Sequence, residues 1–391
     1  MPALDGYKIL DFSTLLPGPY ATMVLADLGA EVLKVSGKDK HDLVVHWPPV
    51  LAGAAVTGAQ AWLGRNKKTI FLNLKKALAI QAVKQLVREY DIVVEQFRPG
   101  VMAKLGIGYA QLKEENPRLI YCAISGYGQT GPFAHRAGHD INFLSRTGIT
   151  YAAGKKSSGP ALYNFQIADV AGGSMNAVAG ILAAIIHREK TGEGQFIDIS
   201  MQDSVVPFNS MDGAAFFAGG ELPEAESGLL NGGQIYDFYE TADGRFMSVG
   251  SLEPKFFAAL CEGLECPELA DGKAAQENAH AVKETFRARF KSKTQAEWSD
   301  IFRRLDACVE PVMNLQEAAE DEHLRARGMW PSVPVPLTDG VSVTQMGSPL
   351  HLSQCPPQYR HAGYPEGHHS EEILSALGYS KEEIAEMISA H

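Results

Sequence analysis

The sequence predicts an α/β protein built on a parallel, doubly wound sheet, with a smaller α+β domain placed late in the chain. Three observations predict it. Short apolar strands alternate with amphipathic helices through the first half. At 391 residues the chain exceeds what one core usually takes. Around 207–233 the text turns to Gly, Ala and Pro without clear periodicity, as a crossing linker does.

KILDFS (8–13) is the first strand, and PGPYATMVLADLGA (17–30) follows as a helix with Pro near its start and Gly29 near its end. EVLKV (31–35) is a strand, as is TIFLNL (69–74). ALAIQAVKQLVREY (77–90) is a helix, then DIVVEQF (91–97) and LIYCAISGYG (119–128) are strands. A long apolar helix over 170–189 leads to a turn at TGEGQ and the strand FIDISM. These elements make a large domain over 1–205, completed by 330–391. Residues 206–329 form the linker and small domain, with a hairpin about Ala242-Asp243-Gly244 followed by helices. The stretch 329–366 is Pro-rich and irregular, and SEEILSALGYSKEEIAEMISA reads as one last helix.

The net charge of −11 excludes a general binder of nucleic acid or anionic membrane, since both need a positive field. An anionic ligand must meet a local gathering of Lys and Arg. Five scattered cysteines (Cys122, Cys261, Cys266, Cys308 and Cys355) without a C-x-x-C pair suit reduced thiols of a cytoplasmic protein. The N-terminal text lacks the build of a signal peptide. The uncharged run 170–186 is short for a membrane span and rich in Gly and Ala, as a tightly packed internal helix is. His41, Asp42 and His46, like His368 and His369, lack a convincing further ligand, so no metal site is expected.

Ligands on such sheets collect at the carboxyl ends of strands, here the loops near 13–19, 97–104 and 125–140. GYGQTG (126–131) spells a dinucleotide fingerprint, but Pro132 follows and no helical period comes after it. No helix N-terminus is offered to a pyrophosphate, so the glycines serve a sharp turn or a close approach instead. RNKK (65–68) reads either as an anion-holding cluster or as a solvated edge, and Arg98 and Lys104 follow the strand DIVVEQF. His139 lies in a Gly-flanked loop, and Asp169 stands just before the apolar helix. Either they are a hydrogen-bonded loop histidine and a helix cap, or they are a base and a partly desolvated carboxyl for removing a proton beside an acyl carbonyl. Glu253, before Pro254, fits a helix start equally well.

Over its whole length the chain resembles the family III coenzyme A transferases, the group that includes the α-methylacyl-CoA racemases. The resemblance is carried by ILDFSTLLPGPYATMVLADLGAEVLKV, RNKKTIFLNLK, EQFRPGVMAKLGIGY, AISGYGQTGPFAHRAGHDIN, HREKTGEGQFIDISMQDSV and LNGGQIYDFYETADGRFMSVG. It implies a Rossmann-like large domain, a smaller domain, an interlocked homodimer and a C-terminal segment returning to the large domain. It implies an acyl-CoA substrate, no cofactor besides, and no nucleic-acid or membrane partner. It further implies CoA contacts from Leu16, Pro17, Leu72, Asn73, Leu74, Lys75, Gln96, Phe97, Arg98, Lys104 and Gly138. Relatives commonly carry K-(V/I)-E-(R/K)-P after the second strand, where this chain reads KVSGKDK, so Lys34 or Lys38 would substitute. In the racemases the implied acid/base pair is His139 and Asp169, with Glu253 of the small domain orienting the histidine. Backbone N–H groups near Asp169 would steady an enolate. In the transferases Asp169 would be the nucleophile that carries CoA as a thioester. The intact Gly138-His139-Asp140-Ile141-Asn142 points to a racemase of 2-methylacyl-CoA thioesters. LLPGPY, AAFFAGG, Met201 and Met211 are candidates to line the acyl path.

Overall fold

The computed structural model describes residues 1–39 and 42–389. The chain divides into two compact units, Met1–Thr147 with Phe165–Pro207 and Glu322–His391, and Gly148–Asn164 with Phe208–Asp321. The segment Gly148–Asn164, read from sequence as part of the large domain, therefore belongs to the second unit.

In the first unit six parallel strands alternate with helices. In order these are β1 (Lys8–Asp11), α1 (Pro17–Asp27), β2 (Glu31–Ser36), α2 (Gly58–Leu63), β3 (Lys67–Phe71) and α3 (Ala77–Val87). There follow β4 (Ile92–Glu95), α4 (Val101–Lys104), α5 (Tyr109–Glu115), β5 (Ile120–Ser125) and α6 (Asp140–Ser145). The long apolar helix is two things: π-helical turns over Ile167–Ser174, then α7 (Met175–Thr191). By length and composition this run could cross a membrane, yet α7 packs across β5, β6 (Phe196–Ser200) and α1. A short α8 (Met201–Val205) follows β6.

The strand order is β3-β2-β1-β4-β5-β6. The order reverses between β1 and β4, so the loops after these strands open at one crevice beyond their carboxyl ends. Strand residues such as Leu10, Leu33, Ile70 and Val93 are fully buried in one cluster with α3. Burying each such side chain contributes about 1.5–3 kcal/mol.

The segment from 322 onward closes this core. After α15 (Glu322–Ala326), Ser332–Pro334 (β10) pairs antiparallel with Ser342–Thr344 (β11), so the Pro-rich stretch is not wholly irregular. The expected single last helix is two, α16 (Ser370–Ala376) and α17 (Lys381–Ile388), divided at Gly378 with φ of 94°. Leu374, Ile384 and Met387 enter the main cluster. The segment also covers the open edge of β3. Phe71 N–H donates to Ser370 Oγ (2.9 Å), Thr69 N–H to His369 Nδ1 (3.2 Å), and His369 N–H to the Thr69 carbonyl (2.9 Å). An unpaired strand edge is thereby satisfied.

In the second unit β7 (Asp237–Glu240), β8 (Phe246–Val249) and β9 (Val309–Pro311) form an antiparallel sheet. α10 (Pro254–Gly263), α12 (Ala279–Phe290) and α13 (Gln295–Phe302) surround an aromatic core of Tyr239, Phe257, Phe286, Phe290, Trp298 and Phe302. Between α12 and α10 lies α11 (Lys273–Glu277), and α14 (Leu315–Glu320) follows β9. Within the expected linker, Ser210–Phe217 forms a helix, α9. Its Met and Ala residues, good helix formers, offset Gly213.

Candidate active site

β5 delivers the loop that begins at Gly126. A Cβ there would meet Phe143 Cε1 at 2.4 Å, and one on Gly138 would meet the same atom at 2.7 Å. The two glycines therefore let the loop fold around the Phe143 ring. Asp198 of β6 accepts the Gln129 N–H at 3.0 and 3.1 Å, which fixes the loop's middle. Of the fingerprint-like glycines, Gly126 thus serves packing, while Gly128 and Gly131 take φ of 83° and 87°, the conformation that the expected sharp turn requires.

The loop ends at His139, the N-cap of α6. Asn142 Oδ1 accepts the His139 N–H (3.0 Å), while the His139 carbonyl accepts Asn142 N–H (2.8 Å). The Gly-His-Asp-Ile-Asn motif thus holds the backbone at the histidine and leaves the residue exposed.

Asp169 sits in the first turn of the π-helical segment, half-buried. Its N–H donates to Asp140 Oδ1 (3.0 Å). The buried Ser174 hydroxyl lies 3.0 Å from its carbonyl oxygen and 2.6 Å from that of Pro17. Both peptide groups of Asp169 are held, one by α6 and the other beside the first turn of α1. Single π turns inside helices recur at functional sites, because the extra residue displaces a side chain from the regular helical path. Burial and then the Asp140 charge raise the Asp169 carboxyl to about 7. A carboxyl of that kind both gives and takes a proton at neutral pH. Because the Asp169 amide is committed to Asp140, it is not one of the backbone donors expected to steady an enolate.

At the crevice, Gln96 Oε1 accepts the Gly18 N–H (2.9 Å), linking the loop after β4 to the start of α1, where Leu16 and Pro17 lie. Glu95 accepts the Phe97 N–H (2.7 Å), and burial raises its carboxyl to about 7. Arg98, Lys104 and Lys75 are exposed. Leu74 is partly buried against the main cluster. Leu72 is buried in the sheet core, so its side chain cannot line a ligand site. Asn73 donates to the Ser389 carbonyl (2.8 Å), so its amide is used to hold the C-terminal segment.

Arg65, Asn66 and Lys67 of the basic cluster RNKK are buried on structural partners, so the cluster is not a solvated edge. Arg65 is 1% exposed and gives two hydrogen bonds to Asp27 (3.0 and 2.6 Å), with two more to Gln345 and Met346. Asn66 also donates to Asp27 (2.8 Å). The buried Lys67 ammonium binds Asp11 (3.3 Å), Thr22 (2.7 Å) and the Pro19 carbonyl (2.8 Å), and burial lowers it to about 8. Only Lys68 of the four is open to solvent. Of the two substitutes considered for the nucleotide contact, Lys34 faces Asp11 at 3.8 Å, whereas Lys38 is exposed.

Glu253 is exposed at the N-cap of α10 in the second unit, and its side chain makes no capping bond there. Met211 is exposed on α9 and Met201 is buried against Gly173. His41 lies outside the described residues. Asp42 accepts the Leu15 and Val44 N–H groups (2.8 and 3.0 Å), which shapes the loop before α1. Among the described residues no cluster of His, Cys, Asp or Glu could hold a metal. Sequence reasoning missed Asp140 and Ser174, though the adjacency of Asp140 to His139 was a visible signal.

The model of CoA-transferase family III matches residues 4–370. The chain is 35% identical to the α-methylacyl-CoA racemase of Homo sapiens, over 99% of this chain and 96% of that one. It is 32% identical to the human succinyl-CoA:glutarate CoA-transferase, over 99% and 89%. A CaiB/BaiF family protein from Brucella suis, known as a crystal structure, superposes with a TM-score of 0.83 at 25% identity, covering 96% of this chain and 99% of that one.

Proposed function

Because the chain belongs to CoA-transferase family III, whose members act on acyl-CoA substrates, we propose that it is a racemase or epimerase of 2-methylacyl-CoA thioesters working by two-base proton exchange. The observation that carries the reading is the junction at α6. It presents an exposed histidine and, one residue on, grips the backbone of a carboxyl held near neutrality.

In this mechanism the neutral His139 imidazole takes the α-proton from the S face. The C–H electron pair moves onto the thioester oxygen to give an enolate. Protonated Asp169 then delivers its proton to the opposite face, and the reverse direction exchanges the two roles. No proton is gained or lost overall. Glu253, supplied by the partner chain of an interlocked homodimer, would orient the imidazole. Large apolar side chains left open in each unit, among them Ile186 in the first and Phe217 and Phe238 in the second, support a chain that buries them against a copy of itself. The CoA thioester is substrate, no cofactor enters the scheme, and the cytoplasm is the compartment we assign.

A second reading, a CoA-transferase carrying CoA on Asp169, has its support in the 32% identity to a transferase. A carboxyl near 7 is partly ionised at neutral pH and so can both take and give a proton, as the two-base scheme needs. Incubation with chiral 2-methylacyl-CoA in D₂O tests the choice. Wild-type protein should exchange the α-proton, and His139→Ala should abolish exchange while still binding CoA. Exchange at the wild-type rate in His139→Ala, or an Asp169–CoA thioester trapped by hydroxylamine, would decide against the racemase.

A further inference from the structure

Resting on the two-base reading, we infer that Asp140 is a positioning residue for Asp169: one carboxylate fixes the Asp169 backbone and places a like charge beside it. The geometry carries this. Asp140 is the first residue of α6, directly after His139, and its Oδ1 lies 3.0 Å from the Asp169 nitrogen. Asp169 is only the third residue of its π-helical segment, before the regular α-helical bonding of α7 is established. Its backbone path therefore depends on side chains from outside the segment, and Asp140 supplies the one on the amide side. A rigid backbone at this point matters, since misplacing a catalytic group by about 1 Å can cost a hundredfold in rate.

An asparagine would hold the amide equally well, so the carboxylate has a second consequence. Two half-buried carboxyl groups adjoin here, and the Asp140 charge disfavours ionisation of Asp169. The elements packed against the segment are α1, α6, α7 and α8. Their other titratable side chains include His139 before α6, Tyr20 on α1 and Asp203 on α8, while those of α7 lie in its last turns, from His187 to Lys190. Among the described residues the charge acting on the Asp169 carboxyl is that of Asp140, and no cation offsets it. The proton that Asp169 exchanges in the two-base scheme is thereby kept on it up to neutral pH.

Asp140→Asn separates the two roles, because it retains an oxygen acceptor and removes the charge. Asp140→Ala removes both. The full-length protein labelled with ¹³C in its aspartate carboxyls is titrated by NMR, with the Asp169 signal identified by its loss in Asp169→Asn. Exchange of 2-methylacyl-CoA in D₂O is followed on the same samples against pH. In Asp140→Asn the Asp169 midpoint should fall by about half a pH unit or more. The acid limb of exchange from the R thioester should move down with it. Asp140→Ala should shift the midpoint likewise and lose about tenfold more exchange, through the freed backbone. An Asp169 midpoint that stays in place or rises in Asp140→Asn overturns the inference, whatever the activity. A midpoint that falls in a protein showing no exchange with any 2-methylacyl-CoA upholds the role of Asp140 and refutes the racemase reading instead.

Discussion

Replacing Arg65 by Met tests whether the RNKK cluster is a structural ion pair or a ligand site. The guanidinium is removed from a place where it is 1% exposed and makes four hydrogen bonds, two of them to the 2%-exposed Asp27. Breaking one partner of such a pair strands a buried charge, which costs about 3–5 kcal/mol. Asp27 keeps its bond from Asn66, so the lower end is expected. Burial already raises the Asp27 carboxyl against the pull of Arg65, and without Arg65 it rises further. The native state of the variant then holds a proton that its unfolded chain has released. Stability therefore falls as pH rises, by up to ~1.4 kcal/mol per unit, until Asp27 ionises in the folded chain as well. Urea unfolding followed by tryptophan fluorescence reads this, since Trp47, Trp62 and Trp330 lie in the first unit and only Trp298 in the second. Arg65→Met should lose about 3 kcal/mol at neutral pH. The loss should grow as pH rises above the ordinary carboxylate range, and adding Asp27→Asn should restore part of it. A loss below about 1 kcal/mol, with CoA affinity down tenfold, would refute the reasoning and return Arg65 to the ligand.

Gly126→Ala should destabilise the first unit by about 1–3 kcal/mol in thermal unfolding, because its Cβ would lie 2.4 Å from Phe143. Adding Phe143→Leu should recover much of that. Arg98→Ala should weaken CoA binding by about tenfold in calorimetry at low salt, less at high salt, and leave stability unchanged, as an exposed cation would. Glu253→Gln should slow exchange begun from the S face by about tenfold or more while the Kd for CoA stays the same. An equal fall in CoA affinity would instead make Glu253 a binding group.

The alternation of strands and helices was legible from residue 8 onward because parallel strands, buried on both faces, read as continuous apolar runs. Gly138-His139-Asp140-Ile141-Asn142 was legible as a motif, and so was the lack of a helix directly after GYGQTG, where Pro132 follows. What could not be read was partnership over distance. Nothing in RNKK says that Asp27 and Gln345 lie waiting for Arg65, and a buried cation looks the same in text as a solvated one. The π-helical turns escaped because their local composition is that of an ordinary apolar helix, and the contacts that hold them, from Asp140 and the Pro17 carbonyl, come from outside the segment. The assignment of Gly148–Asn164 to the second unit rests on pairs such as Lys155 with Asp237 (2.9 Å), which no local pattern announces.

The late strip of chain along β3 has a bearing on biosynthesis. Thr69 and His369, which bond to each other, are 300 positions apart. At translation speeds of about 5–20 residues per second, the ribosome needs roughly 15–60 s to deliver the second after the first. Throughout that interval the nascent sheet carries a raw flank, and the second unit emerges and can fold before it is sealed. Truncated products that stop short of residue 369 would leave that flank permanently available for pairing with other chains. A chaperone that shields it should therefore matter more to the yield of this protein than to its activity once folded.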